Sequence, residues 1–138
     1  MDTKISEYIA KNKVLTLATC VDNVPYCANC FYAFDQENNH LIFLSDDSTR
    51  HIQEALSNKK VAGTINTEVT TIAKIQGVQY TGEFIKPKLV KEKEYYQIYY
   101  KKFPFAQAQT SFIWVVKLNT VKMTDNTLGF GEKIKWER

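Results

Sequence analysis

The segment Ser111 to Leu118 is apolar on both faces: Phe112, Ile113, Trp114, Val115, Val116 and Leu118 surround a single charge, Lys117. Along an extended strand, successive side chains point to opposite faces, so this strand must be covered on both sides. A chain of 138 residues has room for one domain and one principal core. One face of the strand therefore points into that core, and the other must meet a helix or a second subunit. A small barrel with a cover satisfies both demands.

The remaining pattern supplies the other strands. Val14 to Cys20 alternates with β-branched enrichment, and Asp22-Asn23 provides a turn before Pro25. Tyr26 to Phe34 is apolar on both faces except for Asn29, whose amide needs a hydrogen-bond partner. Asp35 to Asn39 turns the chain back into Leu41 to Leu44. Val61 to Asn66 resumes the sheet, with Gly63 marking a bulge or a close backbone approach. Thr71 to Lys86 is expected to form a long strand or bent pair, with bends at Gly77 and Gly82. Beyond Leu118, Lys122 to Thr124 continues the sheet, Asp125-Asn126 turns, and Gly129-Phe-Gly131 leads to a short strand around Ile134 to Trp136.

Three helices are expected. Asp2 to Asn12 places Ile5, Tyr8 and Ile9 on one face, fit to lid the core. Thr49 to Asn58 is the second. Lys88 to Phe103 is the third and strongest, with apolar and tyrosine side chains on more than one side and Pro104 at its end. Its tyrosines are expected to pack their rings and wet their hydroxyls. Strands outnumber helices and no linker appears, so residues 1–138 are expected to form one domain: mainly β with α, a split antiparallel β-barrel with covering helices.

The strand, turn and helix from Leu41 to Leu56 carry the clearest chemical signal. A helix start has backbone N–H groups without intrahelical partners and the positive end of the macrodipole. Here that start holds Ser48, Thr49, Arg50 and His51, after Ser45. Hydroxyls beside a guanidinium suit a phosphate monoester, with neutral donors for geometry and a forked cation for two oxygens. The alternative is a capping Ser beside a surface Arg.

Other motifs carry less. Cys27-x-x-Cys30 sits on extended chain, where residues three apart face opposite ways, so neither a disulfide nor a shared metal is expected. Gly129-x-Gly131 lacks the third glycine of a dinucleotide fingerprint and reads as a turn. Net charge is +3, yet six lysines stand against Glu92 and Glu94 between Lys86 and Pro104. No base-reading motif accompanies them, so a solvated helix face is preferred over nucleic acid. The polar start of the chain, its three cysteines and the lack of an apolar run of about 18 residues point to a cytoplasmic protein without disulfides.

Several short motifs together carry a family resemblance: Cys27-Ala-Asn29, Phe31-Tyr32, Phe34-Asp35, Thr49-Arg-His51, Val61-Ala-Gly-Thr64, Gly77-Val-Gln79, Phe103-Pro104 and Thr124 to Gly131. The chain resembles the FMN-binding split-barrel superfamily, which includes the pyridoxamine 5′-phosphate oxidases, and within it the bacterial YhbP family, nearly end to end. The resemblance implies FMN as cofactor, with Ala28, Asn29, Cys30 and Phe31 along the ring. It implies Ser45, Thr49, Arg50 and His51 on the phosphate side, and a homodimer with flavin at the interface. His51 stands where the oxidases have Lys, and Gly77 where they carry a cofactor-contacting Gln, leaving Gln76 or Gln79 as substitutes. The Arg-x-His by which the oxidases read their substrate has no counterpart in Gly129 to Lys133. Pyridoxamine phosphate oxidation is therefore not expected.

Two functional classes remain open at this point. One is a flavoprotein oxidoreductase moving hydride between NAD(P)H or a small substrate and FMN. The other is a non-catalytic binder of flavin or another phosphorylated ligand, since no catalytic acid or base stands out in the sequence.

Overall fold

A computed structural model describes residues 1–138. Helix α1 (Thr3–Lys11) leads into strands β1 (Val14–Val21), β2 (Val24–Asp35) and β3 (His40–Leu44). Helix α2 (Arg50–Ser57), strand β4 (Lys60–Asn66), strand β5 (Gln76–Ile85) and helix α3 (Leu89–Lys102) follow, and β6 (Ile113–Asp125) and β7 (Lys133–Glu137) end the chain. The antiparallel sheet runs β3-β2-β1-β4-β5-β6-β7, and β3 also pairs with β6. That extra pairing closes six strands into a barrel. β6 can serve two neighbours along one edge because it is long: Ile113 to Lys117 pair with β3, and Thr120 to Thr124 pair with β7.

Local chemistry explains the joints. Asp22 and Asn23 take positive φ values of 52° and 62°, the geometry of a two-residue hairpin whose twist matches its strands. Gly63 is a close approach: a Cβ there would lie 1.9 Å from the Thr16 carbonyl oxygen and 2.3 Å from the Tyr80 hydroxyl. The Tyr80 hydroxyl donates to that same carbonyl at 2.8 Å, tying β5 to β1 across β4. Gly82 faces a similar constriction against β6, and the register shifts there because Asn119 is an extra residue in β6.

Two expectations are corrected along this edge. Thr71 to Ile75 is no strand; Ile72 to Lys74 form a single 3-10 turn before β5. Gly77 marks no bend, since it pairs in unbroken register with Asn66 and Thr124. Polar and small residues from Asn66 to Thr71 offer no apolar alternation to hold a strand in place.

The barrel interior holds Leu15, Leu17, Tyr32, Leu41, Phe43, Trp114, Val116 and Leu118. α1 closes it with Ile5, Tyr8 and Ile9, and α2 adds Ile52 and Ala55. A second, smaller cluster lies outside the barrel, where Ala33, Ile42, Ile113 and Val115 meet Tyr99 of α3. Helix α3 is thus what covers the outer face of the two-sided strand, and that strand no longer argues for a second subunit. α3 itself is less buried than its composition suggested. Only Tyr99 is buried, while Leu89 and Val90 are 84% and 85% exposed. Its tyrosine hydroxyls are bonded as well as wet: Tyr96 donates to the Ser111 carbonyl, and Tyr95 contacts His40 Nδ1 at 3.1 Å. No helix is long and apolar enough to cross a membrane.

Candidate functional site

The barrel is split along β2. Its ladder with β3 covers Tyr32 to Asp35 only, whereas its ladder with β1 runs from Val24 to Phe31. The Tyr32 N–H donates to the Lys13 carbonyl, which fixes the alternation along the strand. The N–H groups of Cys27, Asn29 and Phe31 therefore point away from β1, to an edge with no partner strand. Pro25, next in that row, has no N–H to offer. Three backbone donors spaced by roughly 6.7 Å line one side of the split.

The other side is the chain from Leu44 to Arg50, which leaves β2 after the Tyr32–Phe43 pair. It is held from β6: the Ser45 N–H donates to the Phe112 carbonyl, and Trp114 Nε1 donates to the Ser45 carbonyl at 2.9 Å. It returns to β2 at Tyr26, where the Arg50 guanidinium lies 4.0 Å from the ring centroid. Within this turn the Asp46 carboxylate accepts from the Ser48 N–H and hydroxyl, and these bonds hold its pKa below the usual carboxylate range. Ser48 therefore braces the turn, and Thr49 is the N-cap. Thr49 Oγ1 donates back to the Asp46 carbonyl and makes no cap bond to the helix. The N–H groups of Arg50, His51 and Ile52 are left facing outward from the first turn.

Three of the four expected phosphate-side residues come together. Ser45 Oγ is 2.8 Å from His51 Nε2 and 3.5 Å from Thr49 Oγ1, and Thr49 Oγ1 is 3.4 Å from His51 Nε2. Burial pushes the His51 imidazole below its ordinary value, so this cluster is neutral at neutral pH. Arg50 turns the other way, toward β2. Its Nε donates to Glu54 Oε2 at 2.6 Å, and Glu54 Oε1 accepts from Thr19 Oγ1 of β1 at 2.9 Å. The bond from Arg50, and then that from Thr19, keep Glu54 below the usual carboxylate range.

The four ring-side residues divide by strand alternation. Asn29 and Phe31 face outward; Asn29 Oδ1 accepts from Thr16 Oγ1 at 3.0 Å, and Phe31 packs edge-on against Phe103 with centroids 5.7 Å apart. Ala28 and Cys30 turn their side chains to the barrel interior and their N–H and carbonyl groups to β1, where they pair with Leu17 and Leu15, so neither offers a hydrogen-bonding group to the split. Cys30 is buried, its thiol pushed up to about 11 by burial, while Cys27 is exposed. Of the two candidate glutamines, Gln79 lies in a cross-strand row with Asn29, Thr16 and Thr64 on the outer face. Gln76 is instead paired opposite Asp125, at the start of β5.

Tyr26, Thr19, Glu54, Thr16 and Trp114 were not among the site residues that the sequence pointed to. Only Glu54 had a sequence signal, its i,i+4 spacing from Arg50. The others become neighbours through register between strands.

No family model matches the chain. It is 42% identical over 134 residues to a UPF0306 protein of Photorhabdus laumondii, covering 97% of this chain and 94% of that one. It is 39% identical over 136 residues to the UPF0306 protein YhbP of Salmonella arizonae, covering 99% and 92%. Among solved structures it is similar to a heme-binding protein from Mycobacterium smegmatis, with TM-score 0.80 and 14% identity over 99% of this chain and 59% of that one. It is also similar to an FAD-binding protein from Mesorhizobium loti, with TM-score 0.73 and 16% identity over 89% and 94%. An FAD-binding protein from Mycobacterium smegmatis gives TM-score 0.67 and 12% identity over 99% and 97%. At these identities the structures establish the shared split-barrel fold.

Proposed function

The chain belongs to the UPF0306 (YhbP) family, and we propose that it is an FMN-binding flavoprotein that works as a homodimer. The observation that carries this reading is the split itself, with three free β2 donors on one side and the Ser45–Thr49–His51 turn on the other. The ring edge of a flavin carries carbonyl and imine acceptors, and a row of fixed N–H groups suits them. The phosphate then falls to the hydroxyls, the imidazole, the open N–H groups of α2 and the Arg50 fork. When bound, FMN supplies a two-electron acceptor for hydride, and the protein contributes orientation and a set of fixed donors. Asn29 is oriented for this by Thr16, and Phe31 by Phe103. The FAD-binding neighbours share the fold, and a phosphate monoester is the group that fits the compact turn.

The dimer reading rests on the outer face of β1, β4 and β5. Thr16, Ala18, Ala62, Thr64, Gln79 and Thr81 form two adjacent cross-strand rows there without a charge. These rows run into the β2 edge at Asn29 and Cys27. A second copy seated on that face would cover both the rows and the split. Light scattering should give twice the monomer mass, and Thr64→Arg should return the monomer.

Absorbance of the purified protein, before and after adding FMN and removing the excess, tests the cofactor. Bands near roughly 375 and 450 nm are expected to persist. Steady NAD(P)H oxidation with an added acceptor would then assign oxidoreductase activity, and its absence with retained flavin would assign a flavin-binding role without turnover.

His51 makes the binding depend on pH. In the free protein its depressed value means the unfolded chain takes up the proton first. The stability of neutral His51 is thus present above the ordinary imidazole value of about 6.5 and declines below it. A phosphate against Nε2 reverses this preference by favouring the imidazolium. FMN is therefore expected to bind more tightly at about pH 6.5 than at about pH 8, the ligand remaining largely dianionic across this range. His51→Lys, a permanent cation, should remove that dependence, as titration calorimetry at the two pH values will read.

A further inference from the structure

We propose that Glu54 and Tyr26 are positioning residues that hold the Arg50 guanidinium ready for a phosphate, an inference that rests on the FMN reading of this site. Arg50 is the first residue of α2, and its side chain remains about half exposed to solvent. An arginine so placed would ordinarily sample many rotamers, and binding would have to order it. Here three elements fix it. Glu54, one turn along α2, accepts from Nε at 2.6 Å; Tyr26 of β2 lies under the guanidinium at 4.0 Å; and Thr19 of β1 donates to the free oxygen of Glu54 at 2.9 Å.

The way Arg50 is held matters as much as the fact. Only Nε is bonded, and neither terminal Nη has a protein partner. The fork that matches two phosphate oxygens is left open. A helix-stabilising pair at i,i+4 would need neither the ring of Tyr26 nor the hydroxyl of Thr19. The buried Thr19 hydroxyl ties Glu54 to the barrel wall, so the guanidinium is referenced to β1 and to its neighbour β2, the strand that bears Asn29 and Phe31. Distance between phosphate cation and ring-side donors is thereby set by the sheet. Ordering Arg50 in advance removes part of the entropic cost of binding.

Riboflavin, which lacks the phosphate, separates this role from general damage. Dissociation constants for FMN and riboflavin would be measured by fluorescence quenching for the wild type and for Tyr26→Leu, Glu54→Ala and Glu54→Gln. Tyr26→Leu and Glu54→Ala are expected to weaken FMN by about three- to tenfold and leave riboflavin unchanged. Glu54→Gln, which keeps an oxygen for Nε, should retain FMN affinity. Unchanged FMN affinity in Tyr26→Leu, or tighter binding in Glu54→Ala, would overturn the proposal, the latter marking Glu54 as a charge that repels the phosphate. Parallel loss of both ligands would also overturn it, by assigning these residues to the fold. A wild type that binds riboflavin as tightly as FMN would instead remove the phosphate site, and the inference with it.

Discussion

Arg50→Ala is expected to weaken FMN binding by about one to two decades, because a charge-assisted contact contributes roughly 1.5–3 kcal/mol. The fold should be untouched, since the side chain is half exposed and its apolar contact is limited to one face of Tyr26. Two effects add in the variant. The fork that pairs with phosphate oxygens is lost, and Glu54 is left with a carboxylate facing the anion without its compensating cation. Riboflavin affinity should stay where it was. An FMN dissociation constant equal to wild type would mean that Ser45, Thr49, His51 and the first-turn N–H groups hold the phosphate by themselves.

Gly63→Ala is expected to lower stability by about 3 kcal/mol or more, through overpacking and the loss of one buried hydrogen bond. The added Cβ would lie 1.9 Å from a backbone oxygen of β1 and 2.4 Å from the Tyr80 ring, and neither can yield by rotating a free side chain. Either β4 moves away from β1 or Tyr80 leaves the Thr16 carbonyl, and both open the barrel wall. Gly77→Ala provides the contrast. Its nearest neighbours would be 3.7 Å and 3.9 Å from the new Cβ, and a change within about 0.5 kcal/mol is expected. Urea midpoints of the two variants read the difference directly. A Gly63→Ala midpoint equal to wild type would show that the three strands can separate at that point without cost.

Both outcomes bear on how much the residues disclosed before the fold was known. The elements were legible where the signal is local: the Asp22-Asn23 hairpin, the amphipathic α1, and the polar stop that begins α2. Gly63 was legible as a bulge or a close approach, because a glycine within a β-branched run needs such a reason, and the structure makes it the close approach. Gly77 was expected to mark a bend and sits in plain register instead. Between Asn66 and Gln76 the pattern failed, since polar residues accept strand and turn alike. The two-sided strand at Ser111 to Leu118 correctly demanded a cover, yet nothing in its own residues distinguished α3 from a second subunit.

At the site, the chain order itself placed Ser45, Thr49 and His51 within one turn, and the helix start gave them open N–H groups. Those features follow from neighbours in sequence, so the sequence alone determined them. Tertiary structure decided the rest. The unpaired edge at Cys27, Asn29 and Phe31 exists because β3 leaves β2 after four pairs. The outward turn of Asn29 and Phe31, against the inward turn of Ala28 and Cys30, follows from strand register. Arg50 was visible as a cation, but its direction depends on Tyr26 and Thr19, which lie 24 and 31 positions away in the chain. Contacts at such separations are selected by which strands pair and in what register, and that choice is made by burial of the whole barrel core.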